Sequence, residues 1–306
     1  MAIQSVQAFL NGQWYTLTYN GSTGKYEATV TAPGATSWNL ANGVYPMQIK
    51  AINTANTTKI VDTTDATVGN ALKLRVKETV APTIAITSPG AGSYVINNAQ
   101  PIVFQLRDEA GGSGIALASL VLKIDGGVNI TSGSAGMVCN VVTNGYDCTY
   151  TPQVALSDGA HTVTINVSDN DGNAATQASR SYTVDTVAPT LNVTAPSNSF
   201  ITNAAAVNVV GSTNDATSSP VTVTVKLNTV DQGAVVVTSG NFSKSINLAE
   251  GANTIVIRST DAAGKYTETT ITGTLDTSIP AITSVTLTPN PANTSQSMLI
   301  QVAVNG

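Results

Sequence analysis

One phrase recurs three times in this chain of 306 residues, and every copy contains proline. It reads VKETVAPTIAITSP at residues 76–89, VDTVAPTLNVTAP at residues 184–196 and, less closely, LDTSIPAITSVTLTPNP at residues 275–291. Proline has no backbone N–H and restricts the residue before it to extended geometry, so it cannot lie inside a central strand. Each copy therefore predicts a short, stiff connection between two β domains.

The segments between these connections also resemble one another. DGAHTVTINVSDNDGN at residues 158–173 matches EGANTIVIRSTDAAGK at residues 250–265 in its glycines, its alternating apolar residues and its acidic residue, Asp169 or Asp261. A fainter copy, NGVYPMQIKAIN, occupies residues 42–53. Such self-similarity indicates a repeat architecture. We predict domains at residues 1–79, 80–187 and 188–278, followed by a shorter segment at residues 279–306.

Apolar residues recur at every second position inside each repeat. This period predicts strands with one buried and one solvated face, and clusters of Gly, Asn, Asp and Ser predict the turns between them. The fold class is therefore all-β, with two-sheet sandwiches in tandem. One such stretch has Val221, Val223, Val225 and Leu227 alternating with Thr222, Thr224 and Lys226.

The linker phrase VAPTIAITSP and the segment DGAHTVTINVSDNDGN give the chain a family likeness. With this spacing it resembles bacterial-type immunoglobulin-like repeats, which adhesins and many phage structural proteins carry. The first repeat adds LTYNGSTGKYEATVTAP at residues 17–33 and ALKLRVKETVAP at residues 71–82, and so resembles Ig-like tail-associated proteins of phages of Gram-positive bacteria. The resemblance implies three tandem Ig-like sandwiches and a short C-terminal β-hairpin arm, while a fold alone does not determine a function.

Charge and hydropathy exclude several classes of partner. Charged residues make up 10% of the chain, the net charge is −5 and no basic cluster is present, so we expect no nucleic acid. The apolar runs are far shorter than a bilayer requires, so we expect no membrane insertion. The N-terminus has neither the basic nor the apolar region of a secretory signal, which predicts either another route of release or a shortened chain.

Nothing in the sequence predicts an enzyme. His161 is the one histidine, and the other repeats have Asn253 and Tyr45 in its place, so we interpret it as scaffold. The sequence contains no nucleophile elbow, phosphate loop or paired-histidine metal motif. We therefore expect no catalytic residue.

Acidic residues near the linkers are the candidates for a metal site. Related modular adhesins stiffen their linkers with Ca²⁺, which takes six to eight oxygen ligands. On that resemblance the candidate ligands are Asp169, Asp171 and Asp185, and Ca²⁺ is the one cofactor considered. The alternative is that Asp169 and Asp261 open turns by bonding nearby backbone amides.

The segment CNVVTNGYDC, residues 139–148, begins and ends with a cysteine. A two-residue turn at residues 144–145 would set the cysteines out of register, whereas a turn at residues 143–144 would place Cys139 opposite Cys148. A hairpin disulfide therefore depends on the register, and its role would be to staple an exposed hairpin.

Both tryptophans, Trp14 and Trp38, lie in the first repeat. Aromatic platforms bind sugars, so these two residues are the candidate ligand contacts, and core packing is the alternative. Trp14 is one position out of phase with Tyr15, Leu17 and Tyr19, so its side chain lies on the opposite face of the strand. Either Trp14 or the other three residues must therefore face outward.

The last segment contains two strand-like runs joined by a Pro/Asn turn. Two strands cannot bury a core alone. Either the hairpin packs on the third repeat, or it is an arm that completes a sheet in a neighbouring subunit or partner. The residues of this assembly arm would be Ile282, Val285, Leu287, Leu299, Ile300, Val302 and Val304.

Together these features predict a non-enzymatic bacteriophage virion protein, a structural, decoration or fibre component formed as a rod of Ig-like modules. It would be made in the host cytoplasm without a signal peptide. Its partners would be other virion proteins or copies of itself, and a host cell-surface glycan. A second interpretation is a fragment of a bacterial cell-surface adhesin or extracellular filament subunit. A third is a carbohydrate-binding module.

Overall fold

The computed structural model describes residues 2–305, and within them the protein is built of β-strands. The helical segments there are three 3-10 turns, Ala41–Gly43, Gly69–Leu72 and Leu117–Ser119. None of the described helical segments has the length and apolar character needed to cross a membrane. The chain divides into two compact units, Met1–Val184 and Asp185–Gly306. The predicted all-β class is confirmed.

The residues before the first linker form one large sheet. Its strands and those of a small ribbon are β1 (Ile3–Leu10), β2 (Gln13–Asn20), β3 (Lys25–Glu27), β4 (Tyr45–Pro46), β5 (Gln48–Asn53), β6 (Thr58–Val61) and β7 (Lys73–Leu74). The five-stranded sheet has the order β3-β2-β1-β5-β6, and β4 pairs with β7. Few apolar side chains are buried here, which leaves a smaller core than in the sandwiches that follow: Val6, Leu10, Val44, Tyr45 and Leu72.

The second repeat is a sandwich of two four-stranded sheets. Its strands are β8 (Thr83–Ser88), β9 (Tyr94–Val95), β10 (Ile102–Arg107), β11 (Val121–Ile124), β12 (Met137–Val142), β13 (Gly145–Tyr150), β14 (Gly159–Asn166) and β15 (Ala178–Val184). The sheets have the orders β12-β13-β10-β8 and β11-β14-β15-β9. Alternation along β10 directs Ile102, Phe104 and Leu106 into a core completed by Val163 and Ile165 of β14. Each such burial contributes about 1.5–3 kcal/mol.

A disulfide joins Cys139 of β12 to Cys148 of β13. The two cysteines are direct partners in the strand pairing, and the turn consists of residues 143–144. Of the two registers that the sequence allows, the structure has the one that sets the cysteines opposite each other. Glycine is required at Gly145, because a Cβ there would lie 1.9 Å from the carbonyl oxygen of Leu106. Cys148 belongs to the core, so the disulfide ties the edge strand β12 to it.

The third repeat is a second sandwich. Its strands are β16 (Thr190–Ala195), β17 (Phe200–Thr202), β18 (Ala206–Asn214), β19 (Thr222–Leu227), β20 (Val230–Asp231), β21 (Val237–Thr238), β22 (Asn241–Asn247), β23 (Gly251–Thr260) and β24 (Tyr266–Leu275). The sheets have the orders β16-β18-β22-β21 and β17-β24-β23-β19-β20. Val209, Val225, Ile255 and Ile257 have no exposed surface and form the centre of its core.

The two sandwiches share one plan. In each, the first strand pairs antiparallel with the third, β8 with β10 and β16 with β18. The short second strand belongs to the opposite sheet, where it runs parallel to the last strand, β9 with β15 and β17 with β24. Pro89 and Pro196 directly follow the first strands. Because proline carries no N–H, the ladder ends there and the chain can leave one sheet for the other.

The C-terminal segment is a hairpin of β25 (Ala281–Thr288) and β26 (Leu299–Asn305). These strands form a two-stranded sheet of their own. Every residue of both strands is exposed. Because no hairpin strand buries a side chain against the third sandwich, the interpretation that the hairpin packs on that repeat is wrong.

His161 of β14 is buried and connects two neighbouring loops through hydrogen bonds. Its Nδ1 lies 2.7 Å from Asp125 Oδ2, and its Nε2 lies 2.8 Å from the Ser157 carbonyl oxygen. In the third sandwich, Asn253 holds the same place and donates from Nδ2 to the Ala249 carbonyl oxygen at 2.7 Å. These contacts agree with the interpretation of His161 as scaffold.

The contacts of His161 predict that acid stabilises the second sandwich. Burial alone lowers the pKa of the imidazole, but the Ser157 carbonyl and the Asp125 carboxylate together raise the pKa above its ordinary value. With a raised folded-state pKa, the stabilisation is complete below the unfolded-state value of about 6.5 and is lost as pH rises through the folded-state pKa. We expect the calorimetric midpoint of this sandwich to fall as pH rises from about 6.5 through the raised folded-state pKa of His161.

The variant His161→Asn copies the residue of the third sandwich and serves as the control. We expect it to reduce this pH dependence and to leave the transition of the third sandwich unchanged. Glu109 also has a raised pKa and acts in the same direction, so the difference between wild type and variant isolates the histidine. Identical pH profiles for the two proteins would contradict the role assigned to His161.

Candidate functional sites

Glu78, Asp108 and Asp169 converge where the first linker enters the second sandwich. Glu78 follows β7, Asp108 directly follows β10, and Asp169 lies in the turn after β14. One ligand oxygen of each lies within 4.8 Å of the others. Asp108 and Asp169 are buried, so three separate segments bring carboxylates to one sheltered point.

Backbone N–H groups hold this first acidic cluster in place. Gly114 N donates to Asp108 Oδ2 and Gly172 N donates to Asp169 Oδ1, each at 2.6 Å. The turn role predicted for Asp169 is therefore present. Asp108 Oδ1 is buried and accepts no hydrogen bond within the described residues. This oxygen is therefore available to a ligand.

Glu109 adds a fourth carboxyl to the first cluster. A hydrogen bond with the Glu78 side chain, partial burial and the neighbouring Asp108 together raise the pKa of Glu109 to about 7. A carboxyl that keeps its proton near neutral pH indicates that negative charge is concentrated around it.

Asp185, Asp215 and Asp261 form a second acidic cluster at the entrance to the third sandwich. Their ligand oxygens again lie within 4.8 Å of one another. Asp185 has no exposed surface, and Asp215 and Asp261 are 8% and 6% exposed. Ser218 Oγ donates to Asp185 Oδ2, and Ser218 N donates to Asp215 Oδ1 at 2.8 Å. Asp261 Oδ2 is buried and accepts no hydrogen bond within residues 2–305.

Neither cluster has a basic side chain as an ion-pair partner. Among the described residues the ion pairs involve Arg107, His161 and Arg258, each bound to an acid outside the clusters. Lys265 lies in the turn beside the second cluster, but its Nζ donates to the Thr186 carbonyl oxygen. Burying unpaired carboxylates costs several kcal/mol per ion. A divalent cation would remove that cost, and carboxylate oxygens are the ligands that Ca²⁺ takes.

The structure regroups the acidic residues predicted as Ca²⁺ ligands. Asp169 and Asp185 belong to different clusters, and Asp171 belongs to neither. Asp171 Oδ2 instead accepts hydrogen bonds from Thr36 Oγ1 at 2.5 Å and from Glu78 N at 3.1 Å. Its carboxylate thereby ties the second sandwich to the first repeat.

Sequence reasoning missed the combinations that the fold brings together. A usable signal existed, because Glu78 precedes Asp108 by 30 residues and Asp185 precedes Asp215 by the same 30. The first member of each pair also lies just before a copy of VAPT. Acidic residues at equivalent positions of two repeats indicate that both repeats need them for the same purpose. That purpose is separate from the turns that Asp169 and Asp261 open.

The two tryptophans lie in different surroundings. Trp14 of β2 is 37% exposed, with the Phe9 ring centroid 5.2 Å from its own and Lys50 Nζ 4.8 Å above it. Trp38 follows β3 in a loop, is 51% exposed and lines a cavity of about 380 Å³ together with Arg75. Because neither ring is in the core, both remain candidate ligand contacts.

The hairpin places most of the predicted assembly residues on one face. Gln301 and Leu299 lie on the other face. The apolar face is formed by three cross-strand pairs, Ile282 with Val304, Val285 with Val302, and Leu287 with Ile300.

Two parts of the chain match known domain families. Residues 95–186 match the Bacterial Ig-like domain, and residues 189–277 match Glucodextranase, domain B. The sequence matches none of the curated proteins. The matched ranges lie over the second and third sandwiches.

Similar solved structures are also modular. The fibronectin(III)-like modules of Clostridium thermocellum CbhA are 14% identical, with a TM-score of 0.38 over 63% of this chain and 94% of theirs. An I-band fragment from titin is 13% identical, with a TM-score of 0.41 over 88% and 86%. Drosophila OTK extracellular domains 3-5 are 11% identical, with a TM-score of 0.28 over 89% and 85%. Similarity at this level conveys no function. The strand pairing shows two tandem β-sandwiches, of which the first carries the Bacterial Ig-like match and the second the Glucodextranase, domain B match.

Proposed function

We propose that this chain is a non-enzymatic structural protein whose Ig-like modules carry a C-terminal docking hairpin. The observation that supports this most directly is the apolar face of β25 and β26, whose six side chains are all exposed. Contiguous apolar surface of this kind marks an interaction site. Tandem Ig-like modules suit structural or binding work, and the hairpin supplies the means of attachment.

The position of the hairpin within the repeat indicates which partner it fits. Strands β25 and β26 pair as β8 pairs with β10 and as β16 pairs with β18. Strand β25 lies within the third copy of the linker phrase, as β8 and β16 lie within the first and second copies. In both sandwiches a second sheet covers the apolar face of the equivalent pair. The hairpin therefore fits the second sheet of an Ig-like module in a neighbouring subunit.

Two substitutions at adjacent positions test this docking face. Val302→Asp puts a charge on the apolar face, and Gln301→Asp puts the same charge on the polar face. We expect wild type and Q301D to associate with rising concentration in analytical ultracentrifugation, and V302D to stay monomeric, since burying an unpaired charge is costly. The thermal midpoints of the sandwiches should not change, because the hairpin is exposed. Equal association of both variants would rule out this face as the interface.

We further propose that Ca²⁺ occupies the two acidic clusters and fixes each linker to the sandwich that follows it. Glu78 and Asp185 belong to the linkers, and the other members belong to the sandwiches. The support is the set of buried oxygens without hydrogen bonds, among them Asp108 Oδ1 and Asp261 Oδ2. The three carboxylates of a cluster leave room for carbonyl and water ligands in a shell of six to eight oxygens.

Calcium binding predicts a stability gain that one substitution removes. At a Ca²⁺ concentration of 100 times Kd, the gain in unfolding free energy is about 2.7 kcal/mol. We expect Asp215→Asn to abolish the Ca²⁺-dependent rise in the Tm of the third sandwich without lowering that Tm in chelator, because it relieves repulsion among the acids of the second cluster. Asp231→Asn, at an exposed acid of the same sandwich, should keep the full response. A wild-type Tm that is equal in Ca²⁺ and in chelator would contradict the proposal.

The setting that we propose is a bacteriophage virion, in which the chain serves as a fibre or decoration protein. The resemblance of the linker phrase and of residues 17–33 and 71–82 to Ig-like phage proteins supports it. Its partners there would be other virion proteins or copies of itself, and a host surface glycan. A bacterial surface adhesin is the second candidate, favoured by the match of residues 95–186 to a bacterial Ig-like domain.

Immunogold electron microscopy of the native source separates the two settings. Antibody against the purified chain is applied to a lysate and to intact cells. We expect gold on particles at one defined location, where the hairpin then becomes the leading docking element. Gold on the cell envelope, with clean particles, would exclude the virion and leave the adhesin.

A further inference from the structure

A groove with an exposed tryptophan and several basic residues crosses the first repeat near the second sandwich. Two cavities of about 380 and 840 Å³ share the lining residues Asn42 and Arg75. Trp38 lines the smaller cavity, and Leu40 and Pro46 give the larger one an apolar wall. Cavities of this size are usual for ligand sites.

The positive charge of the groove comes from basic residues at every second position of one segment, since alternate side chains point to the same side. Contrary to the expectation that basic residues are not clustered, Lys73, Arg75 and Lys77 occupy alternate positions, so three of the 13 basic residues fall within five positions of a chain whose net charge is −5. All three line the groove. Asp171 is the one acidic residue that lines either cavity, and its carboxylate already accepts a hydrogen bond from Thr36 Oγ1. The groove therefore carries a local excess of positive charge.

Of the three basic residues that line the groove, Arg75 is the one whose charged group makes no hydrogen bond or ion pair within the described residues. Lys73 Nζ donates to Asn70 Oδ1 at 2.9 Å, and Lys77 Nζ donates to the Asp171 carbonyl oxygen at 2.8 Å. Within residues 2–305, no hydrogen bond or ion pair engages the Arg75 guanidinium. A guanidinium presents a planar fork of donors that matches a carboxylate or a phosphate.

Hydrogen bonds fix the backbone next to Trp38, while its ring is exposed to solvent. Its neighbours Thr36 and Ser37 are buried, whereas Trp38 is half exposed. Ser37 Oγ donates to the Gly43 carbonyl oxygen at 3.0 Å, and Val76 N donates to Ser37 Oγ at 3.1 Å. A ring whose backbone is already ordered loses little further entropy when a flat apolar surface stacks on it. The apolar face of a sugar ring is such a surface.

We propose that this groove binds an anionic saccharide chain, with a sugar ring stacked on Trp38 and its carboxylate or phosphate bound by Arg75. Lys73, at the larger cavity, is placed for a second charged sugar of the same chain. The inference deepens the host-glycan part of the proposed function. It is tested on the purified chain, so it stands or fails separately from the virion setting.

The two tryptophans provide a matched pair of fluorescence reporters. Trp14→Phe leaves Trp38 as the sole tryptophan, and Trp38→Phe leaves Trp14. Each full-length variant is titrated with an oligogalacturonate, a glycosylated glycerol-phosphate oligomer and a neutral maltooligosaccharide. We expect the anionic probes to change the emission of W14F and not that of W38F. Binding should weaken as salt is raised, because exposed charges are screened.

Arg75→Ala and Lys59→Ala give the matched charge comparison, since both residues are exposed and lie in the first repeat. In the W14F background we expect R75A to weaken binding about tenfold or more, through loss of a charge-assisted bidentate contact, and K59A to change it less than about twofold. Response to one anionic probe alone identifies a uronate or a phosphate ligand, and response to both identifies the shared anion. Equal binding of the neutral probe, equal effects of R75A and K59A, or no W14F response to any probe would overturn the inference.

Discussion

An alternating β-strand makes two faces, and its apolar face is stable only when another layer covers it. The second and third sandwiches meet this requirement with paired sheets, and Phe104 and Ile257 in their cores have no exposed surface. The first repeat meets it with a smaller core. The hairpin of β25 and β26 does not meet it within the described residues. The apolar faces of the sandwiches are covered and that of the hairpin is exposed. For this reason we assign a structural role to the sandwiches and a docking role to the hairpin.

A second constraint is electrostatic and acts where a linker meets a sandwich. The linker, the end of the third strand of the sandwich and a later turn all close on the same point, and each contributes an acid. The geometry that closes the sandwich therefore also concentrates negative charge. The raised pKa of Glu109 is one consequence at the first cluster. Neutralisation by a cation would link the placement of Glu78 or Asp185 to the folding of the sandwich beside it.

The first repeat differs from the others in the kind of surface it presents. Both of its tryptophans lie at the surface, and the solvent-facing side of the segment around β7 carries lysine and arginine. Asp171 anchors the second sandwich to the loop that presents Trp38. A contact used for packing thus also organises the groove, which is why a small core is compatible with an ordered groove.

Much of the fold could be predicted because its signals are local. Val223 and Val225 alternate with threonines, and that period determined the strands, their buried faces and the all-β class. Substitution of His161 by Asn253 in the next repeat indicated a scaffold role, which the contacts of both residues explain. The disulfide register could not be decided, since a shift of the turn by one residue changes every cross-strand partner.

The sequence by itself determined the class of fold and the apolar face of each strand, because side-chain alternation is a property of neighbouring residues. Only the tertiary structure decided which acids meet, since Glu78, Asp108 and Asp169 come from segments far apart in the chain. Within residues 2–305, it also decided that Arg75 is left without a hydrogen-bond or ion-pair partner and that the hairpin stays uncovered. These depend on which surfaces the folded chain brings together, and local periodicity carries no information about that.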